Sequence, residues 1–282
     1  MTLAPAPPET GLDALSALVA DGDVVVLSGA GLSTDSGIPD YRGATGSLRR
    51  HTPMTYQTFT RDPAGRHRYW ARSFVGWRQI ATARPNDGHR AVAALERCGL
   101  LAGVITQNVD GLHQAAGARD VVELHGGLDR TVCLGCGDRA SRADLDVRLQ
   151  AANPGFGPRT GEVNPDGDAE LPDAVLDGFV MVGCLACGDG PLKPDVVFFG
   201  ETVPRDRVDD CFARVDDAGA LLVLGSSLTV MSGYRFVLRA ARLGIPVGIV
   251  NVGPTRGDAK ADVRVDAPLG SVLPELVRRL AA

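Results

Sequence analysis

Two pairs of cysteines constrain the fold of this sequence more than any other feature. The pairs are Cys133–Cys136 and Cys184–Cys187. Two intervening residues let a tight turn direct both thiolates at one ion, and two such turns complete a tetrahedral set of sulfur ligands. We therefore expect one structural zinc ion, because four thiolates leave no open position for a substrate. Two disulfides or four unrelated buried thiols are the alternative, which is less favoured because nothing marks the chain as secreted.

The size and composition of the chain permit a large buried core. The 282 residues suffice for one large domain with a satellite or for two modest domains, and 44% of them are hydrophobic. The formal net charge is −5 and the basic residues are not clustered, so we expect no nucleic-acid partner. No apolar run approaches the roughly 20 residues that a membrane span needs, so we expect no membrane partner. The oligomeric state does not follow from the sequence.

The start of the chain predicts a cytoplasmic protein. The first basic side chain is Arg42, so neither a secretory signal nor an arginine-rich transit peptide is indicated. Arginine far outnumbers lysine, which indicates a GC-rich bacterial genome.

Short apolar runs that end in small or polar residues predict parallel strands. They alternate with helical patterns, and this alternation is typical of an α/β fold with a Rossmann-like, doubly wound parallel sheet. The runs cover residues 24–27, 103–106, 220–224 and 245–250. Helices are expected at residues 12–20, 86–98 and 233–243, with Gly99 and Gly244 as stop signals. Residues 1–11 are expected to form a loose leader, and residues 153–172 a long surface loop within the zinc-binding part of the chain.

The first glycine turn lies where such a sheet binds ligands. Ligands of open parallel sheets lie at the carboxyl edge, where backbone N–H groups and helix N-termini face the crevice. Gly29-Ala30-Gly31 could bring its backbone against a pyrophosphate, although the third position of a G-x-G-x-x-G motif holds Thr34. A phosphate loop and a structural turn both remain open at this point. No acidic residue closes a second strand about 20 residues further on, which argues against an ordinary hydride-transfer enzyme.

Several motifs taken together resemble the sirtuin family of NAD-dependent protein deacylases. They follow the order of that family from about Leu12 to the final helix, and they comprise residues 29–42, 107–110, 123–126, 193–201, 225–227 and 251–253 with both cysteine pairs. Residues 68–72, 164–168 and 232–236 are most similar to the class II branch, which includes a mitochondrial member and bacterial relatives. The resemblance implies a Rossmann-like NAD-binding domain (12–42, 86–128 and 192–282), a cofactor loop and helical module (43–85) and a zinc-binding small domain (129–191).

The resemblance assigns catalytic roles to His125 and Asn108. It implies that the carbonyl oxygen of an acylated lysine attacks the anomeric carbon of the nicotinamide ribose, and that His125 then helps the 2′-hydroxyl to attack the resulting imidate. The products would be nicotinamide, O-acyl-ADP-ribose and free lysine. An imidazole suits this role, since it titrates near neutrality. His51, His67, His89 and His113 are expected to be ordinary surface or core residues, and Cys98 and Cys211 to be buried small apolar residues.

The resemblance also implies a set of residues that bind NAD. Gln107, Asn108 and Asp110 would surround the nicotinamide and its ribose, Asp40 and Arg42 would lie in the loop that closes over the cofactor, and Ser226 and Asn251 would hold the adenine end. The full set is Gly29, Ala30, Gly31, Ser33, Ile38, Asp40, Tyr41, Arg42, Gln107, Asn108, Val109, Asp110, His125, Gly225, Ser226, Ser227, Asn251, Val252, Gly253 and Leu269.

An acylated-lysine protein or peptide is the partner that the resemblance implies. Its backbone would pair with the apolar segment Val196, Val197, Phe198, Phe199, Gly200 and Glu201. A plain core strand is the alternative reading of that segment. The desuccinylating branch of the family uses a Tyr-x-x-Arg pair, but Tyr69 and Arg72 lie about one helical turn too early, and the usual positions fall on Ser73 and Gly76. We therefore expect a pocket for longer or bulkier acyl groups, shaped by the helical module and by the loop at residues 153–172.

Two other functions stay open on the sequence. An NAD-dependent protein ADP-ribosyltransferase would use the same cleavage of NAD but would pass the ribose to a protein side chain. A noncatalytic NAD-binding or zinc-ribbon module would release no nicotinamide.

Overall fold

The computed structural model describes residues 9–42, 46, 52–156, 164–169 and 171–280. Most of the predicted leader, part of the loop at residues 153–172, His51 and the start of the helical module lie outside these residues. The helices are α1 (Glu9–Ala20), α2 (Tyr56–Arg61), α3 (Pro63–Thr82), α4 (Asp87–Arg97), α5 (Leu112–Ala115), α6 (Arg142–Ala152), α7 (Asp173–Leu176), α8 (Arg205–Asp216), α9 (Met231–Leu243) and α10 (Leu269–Leu280). The strands are β1 (Val24–Ser28), β2 (Leu101–Thr106), β3 (Val121–Glu123), β4 (Gly126–Cys133), β5 (Arg139–Ser141), β6 (Leu192–Val196), β7 (Ala220–Leu224), β8 (Val247–Val250) and β9 (Val263–Val265).

A parallel sheet of six strands organises the described part of the chain. Its order is β3-β2-β1-β7-β8-β9, and every pairing is parallel. The chain starts in the middle of the sheet, builds one half outward through β2 and β3, and then builds the other half from β7. The order therefore reverses between β1 and β7, and the crevice at such a reversal is where doubly wound sheets bind ligands.

Helices cover both faces of this sheet, as the buried apolar strands require. In β1, Val24 and Val26 pack into a core that α1, α4 and α10 complete, whereas Val25 and Leu27 pack into the core on the side of α8 and α9. Side chains alternate between the two faces along a strand, so one short run supplies both cores. The α/β fold expected from the sequence is confirmed.

A smaller antiparallel sheet, with the order β5-β4-β6, carries the cysteines. The apolar residues of α3 share one core with this sheet: Trp70 and Phe74 pack in the same cluster as Leu145 of α6 and Leu192 of β6. The indole N–H of Trp70 donates to the carbonyl oxygen of Leu192 at 2.9 Å. The helical segment and the cysteine-bearing sheet thus form one packed body beside the large sheet.

Several details of the sequence-based prediction need correction. Helix α1 begins at Glu9, three residues before the expected start, α9 begins at Met231, two residues before, and β8 begins at Val247, two residues after. Cys98 is exposed, because it caps the C-terminus of α4 beyond the last turn that packs on the sheet, whereas Cys211 is buried as expected.

Residues 164–169 do not form part of a surface loop, since most of them are buried. A tight turn satisfies their backbone: Asn164 N–H donates to the Asp168 carbonyl oxygen at 2.7 Å and Gly167 N–H to that of Asn164 at 3.0 Å. The turn packs on α3 at Gly76, where an added Cβ atom would lie 2.5 Å from the Gly167 carbonyl oxygen.

Among the described residues, none of the helices is both long and apolar enough to cross a membrane.

Candidate active site

A cleft of about 1030 Å³ opens at the carboxyl edge of the large sheet, between that sheet and the smaller body. Its wall includes every residue that the sequence predicted for cofactor and substrate binding, from the glycine turn at Gly29 to Leu269 at the start of α10. These residues come from segments far apart in the chain, and the end of β1 and the end of β7 meet at the reversal of strand order. The sheet topology therefore accounts for their convergence. Val252, which is 67% exposed, marks the outer rim.

The glycine turn after β1 lies directly against the turn after β7. Gly31 N–H donates to the carbonyl oxygen of Gly225 at 2.9 Å. A Cβ atom at Gly29 would lie 2.8 Å from the Cβ of Ser226, which is closer than carbon atoms approach. Glycine is required here because of this contact between two turns. The N–H groups of Gly29 and Gly31 donate to the carbonyl oxygens of Leu224 and Gly225 across it.

The residues after β2 form a buried hydrogen-bond network. The Asn108 amide donates to the Gly29 carbonyl oxygen and to Ser33 Oγ, both at 3.1 Å. Ser33 Oγ in turn donates to a carboxylate oxygen of Asp110 at 2.6 Å. Burial raises the pKa of Asp110, and the hydrogen bonds from Ser33 and from the Leu112 N–H oppose this shift. The network ties the polar residues after β2 to the glycine turn after β1.

His125 is half-buried between two hydrogen-bond partners. Its Nδ1 lies 2.9 Å from the carbonyl oxygen of Gln107, and its Nε2 lies 2.9 Å from Ser232 Oγ. A carbonyl oxygen only accepts, so Nδ1 carries the ring hydrogen and Nε2 carries the lone pair of the neutral ring. Burial lowers the pKa of His125, the hydrogen bond to Gln107 opposes this, and the positive charges of Arg207 and Arg235 lower the pKa further. The ring is therefore uncharged at neutral pH, and Nε2 is its basic nitrogen.

The predicted substrate segment continues directly from β6. Only Val196 is part of the strand; beyond it Val197 N–H donates to the His125 carbonyl oxygen at 2.8 Å, and Phe199 bridges to Thr55. Gly126, the residue after His125, has a φ of 80°, and an added Cβ atom would lie 2.0 Å from the Asp195 carbonyl oxygen. This glycine lets the histidine and the substrate segment lie side by side.

A buried ion pair fixes the shape of the same segment. Lys193 Nζ lies 3.0 Å from a carboxylate oxygen of Glu201, and the Lys193 side chain is only 4% exposed. The same oxygen accepts the Phe198 N–H at 2.8 Å. The ring of Phe199, which is 36% exposed, meets that of Tyr41 edge to face at 5.8 Å and so connects the segment to the loop after the glycine turn.

The four cysteines are placed so that they can bind one metal ion. Their sulfur atoms all lie within 4.8 Å of one another, with 3.7 Å from Cys133 to Cys187 and 3.8 Å from Cys136 to Cys184. A zinc ion with bonds of about 2.3 Å to a sulfur tetrahedron needs sulfur atoms about 3.8 Å apart. The tetrad is therefore a site for one structural zinc ion, and the alternative of four unrelated thiols is wrong.

Several residues in the cleft wall were not predicted as site residues, among them Met54, Pro165, Asp166, Thr229 and Ser232. Pro165 and Asp166 belong to the loop that was expected to shape the acyl pocket. Ser232 lies at the start of α9, after the loop that follows β7. A polar residue at the start of a helix on the carboxyl edge of the sheet was the signal that could have predicted it as a site residue.

The sequence of this chain matches a protein-family model and several curated proteins. A model of the Sir2 family matches residues 29–232. The chain is 60% identical over 274 residues to a protein of Streptomyces coelicolor named NAD-dependent protein deacetylase 1, covering 97% of this chain and 91% of the relative. It is 52% identical over 272 residues to the protein of that name from Mycobacterium avium, covering 95% of each chain.

Solved structures show the same fold. One described as a structural basis for the mechanism and regulation of Sir2 enzymes superposes with a TM-score of 0.78 at 31% identity, covering 97% of this chain and 99% of its own. A structure of Sir2 with a p53 peptide and NAD⁺ superposes with a TM-score of 0.77 at 29% identity, covering 95% and 98%.

Proposed function

Because the chain belongs to the Sir2 family, we propose that it is an NAD-dependent protein-lysine deacylase that yields nicotinamide, O-acyl-ADP-ribose and free lysine. The observation that carries this proposal is the convergence, in one cleft, of the neutral base His125 with the glycine turn and the substrate segment. Relatives that are 50% and 60% identical are named NAD-dependent protein deacetylase.

The cleft fits a dinucleotide. The glycine turn at residues 29–31 brings backbone without bulky side chains into the wall, which leaves room for a diphosphate, and the Arg42 guanidinium adds charge-assisted donors nearby. Ser226 offers a hydroxyl group and Asn251 an amide group in the same wall, and we assign the adenine end of NAD to these two residues. NAD supplies the ribose carbon at which the acyl oxygen attacks. We assign Asn108 and Asp110 to the ribose and the nicotinamide, since their network fixes donors and acceptors in the wall.

We assign to His125 the removal of a proton from a ribose hydroxyl. Nε2 holds the lone pair in the neutral ring, and Gln107 stabilises the positive charge that forms when Nε2 takes the proton, because its carbonyl oxygen accepts from Nδ1–H. Asn108 lies in the same wall and shapes the neighbouring subsite.

The acylated lysine enters, in this proposal, beside residues 196–201. We assign the pairing with an extended peptide to the exposed part of this segment, Phe199 and Gly200, and backbone pairing gives affinity with little demand on sequence. The substrates are therefore acylated-lysine proteins or peptides. We keep the division into an NAD-binding domain (12–42, 86–128 and 192–282), a helical module (43–85) and a zinc-binding domain (129–191), and the class II assignment, as parts of the proposal.

We propose that the acyl pocket favours neutral acyl groups longer or bulkier than acetyl. Tyr69 is fully buried, packs edge to face against Phe59 and Phe198, and is absent from the cleft wall, so a Tyr-x-x-Arg clamp for a carboxylate is not available at that residue. Asp166 lies in the cleft wall instead. The pKa of nearby Tyr41 is raised mainly by burial, and the negative charge of Asp166 raises it further. A carboxylate in the wall disfavours an acyl group that also ends in a carboxylate.

A cytoplasmic location is part of the proposal. The cysteine tetrad must remain reduced to hold zinc, and a reducing compartment provides that condition.

The test is a screen of acyl-lysine peptides with NAD, in which the products are identified by mass spectrometry. We expect nicotinamide and O-acyl-ADP-ribose, with fatty-acyl or lipoyl peptides turned over faster than acetyl or succinyl peptides. His125→Ala should nearly abolish deacylation without changing the fold or the zinc content, and His67→Ala, which changes a histidine outside the cleft, should leave the activity intact.

Other outcomes would contradict parts of the proposal. Mono-ADP-ribosylated protein as the main product would establish the transferase alternative. Absence of nicotinamide release with every peptide would leave a noncatalytic NAD-binding module. A preference for acetyl or succinyl above all other groups would refute the proposed acyl pocket.

A further inference from the structure

Ser232 is the partner of the basic nitrogen of His125. Its Oγ lies 2.9 Å from Nε2, while Nδ1 is 2.9 Å from the Gln107 carbonyl oxygen. Since Nδ1 carries the ring hydrogen, Nε2 accepts and the serine hydroxyl donates. Both ring nitrogens are thus held, one by the end of β2 and one by the start of α9.

The start of α9 is built to approach this histidine. Ser232 is the second residue of the helix, and Gly233 follows it. A Cβ atom at Gly233 would lie 2.5 Å from the side-chain oxygen of Gln107, so a larger residue here would have to displace the Gln107 side chain. The Gln107 amide also donates to Ser226 Oγ at 2.9 Å, which ties the loop after β7 to the same point.

We propose that Ser232 is a positioning residue for His125 in the deacylation reaction; this inference rests on the function proposed above. Its hydroxyl keeps the ring plane fixed with Nε2 directed into the cleft. The lone pair of Nε2 accepts one hydrogen bond, so an incoming ribose hydroxyl takes the place of the Ser232 hydroxyl before it transfers its proton. Ser232 keeps its own proton, and after the transfer its oxygen can accept from the new Nε2–H. The serine therefore orients the ring before the ribose hydroxyl arrives and after the proton has been transferred, without gaining or losing a proton.

Two partial reactions separate this role from a structural one. The exchange of labelled nicotinamide into NAD reverses the first step and needs no base, whereas deacylation needs His125. We expect Ser232→Ala to lower deacylation about tenfold, the value of one net hydrogen bond, and to leave exchange unchanged. Ser232→Thr keeps the hydroxyl and should restore most of the deacylation. Ser271→Ala, a matched change at the start of α10, should alter neither reaction.

A second measurement needs no NAD. In the ¹⁵N-histidine spectrum of the free protein we expect His125 to show the Nδ1–H tautomer, and Ser232→Ala to move the His125 Nε2 resonance without moving those of His89 and His113. Alanine suits a helix, so the variant should fold. If it does not, Ser232→Cys serves for both measurements, because a thiol is a weak donor of similar size.

The outcomes are distinct. An equal loss of exchange and deacylation, or no loss of either, overturns the role of Ser232, and so does an unmoved Nε2 resonance. Failure of the wild-type protein to release nicotinamide would instead overturn the proposed function, while the spectrum would still report on the Ser232–His125 contact.

Discussion

Gly31 and Gly225 lie so close together that a Cβ atom added at Gly31 would be 2.9 Å from the Gly225 carbonyl oxygen. The two turns come from opposite halves of the large sheet, and their contact forms the floor of the cleft at the reversal of strand order.

Gly31→Ala should therefore weaken NAD binding by pushing the two turns apart. Overpacking of this kind costs about 1–3 kcal/mol, so we expect the dissociation constant for NAD to rise between about fivefold and about 150-fold. Titration calorimetry with NAD measures the change. Gly178→Ala, where an added Cβ atom would meet nothing within 4 Å, is the matched control. Wild-type affinity in Gly31→Ala would show that the turns are not in rigid contact.

The pH dependence of deacylation should report the environment of His125. The base acts only when neutral, and burial lowers its pKa from the ordinary 6.5. Activity should be present above that lowered pKa and lost as the pH falls through it, so the midpoint of the acid limb of kcat/KM should lie below pH 6.5. Arg235→Gln removes a cation that disfavours the imidazolium and should move the limb to higher pH. A wild-type midpoint above pH 6.5 would contradict this environment.

The buried pair His89 and His113 should make the fold sensitive to acid. Their rings meet edge to face at 5.2 Å, and burial lowers the pKa of His89 to about 4 and that of His113 to about 3. The unfolded rings titrate near 6.5, so below that pH the unfolded chain binds more protons. Stability should be complete above pH 6.5 and should fall with the pH by about 1 kcal/mol per unit for each ring.

Urea unfolding between pH 5 and pH 7 measures this slope. His113→Asn should lower the overall stability, because His113 Nε2 lies 2.8 Å from Ser28 Oγ, and should also flatten the slope by about half. An unchanged slope would mean that His113 takes up a proton within the fold.

Asp166→Asn should increase the turnover of acidic acyl groups. Removing this charge from the cleft wall relieves repulsion, and we expect the ratio of succinyl to fatty-acyl turnover to rise several-fold, about 1 kcal/mol of interaction. Asp144→Asn changes an exposed carboxylate on α6 and should not alter the ratio. Equal ratios in both variants would exclude Asp166 from acyl selection.

Loss of zinc should unfold the smaller sheet first. Cys184→Ser removes one of the four ligands, so we expect zinc to be lost and amide protection to fall in β4 and β6 before it falls in β1 and β7. Metal analysis with hydrogen exchange measures both changes. Cys98→Ser, which changes an exposed cysteine outside the tetrad, should change neither. Simultaneous loss of protection in both sheets would show that they unfold as one unit.

The features that the sequence predicted well are local ones. An apolar run such as residues 24–27 followed by glycine is sufficient to specify a buried strand and its turn, and two C-x-x-C pairs are sufficient to specify a metal site. In both cases a few adjacent residues determine the backbone directly, so the strands and the tetrad agree with the structure.

The features that the sequence did not reveal depend on contacts between distant segments. Polar residues such as Asn164 and Asp168 suggest a surface loop, but packing against Gly76 of α3 buries them. The contact of Ser232 with His125 joins positions 107 residues apart. Cys98 has an apolar side chain, yet its place beyond the last packed turn of α4 leaves it exposed.

The strand β6 runs from the cysteine tetrad straight into the segment that lies beside His125. The zinc site is thus connected by one strand to the segment that we propose binds the peptide. A cell starved of zinc would lose deacylation while the nucleotide-binding sheet stayed intact, which would couple protein acylation to metal supply as well as to NAD.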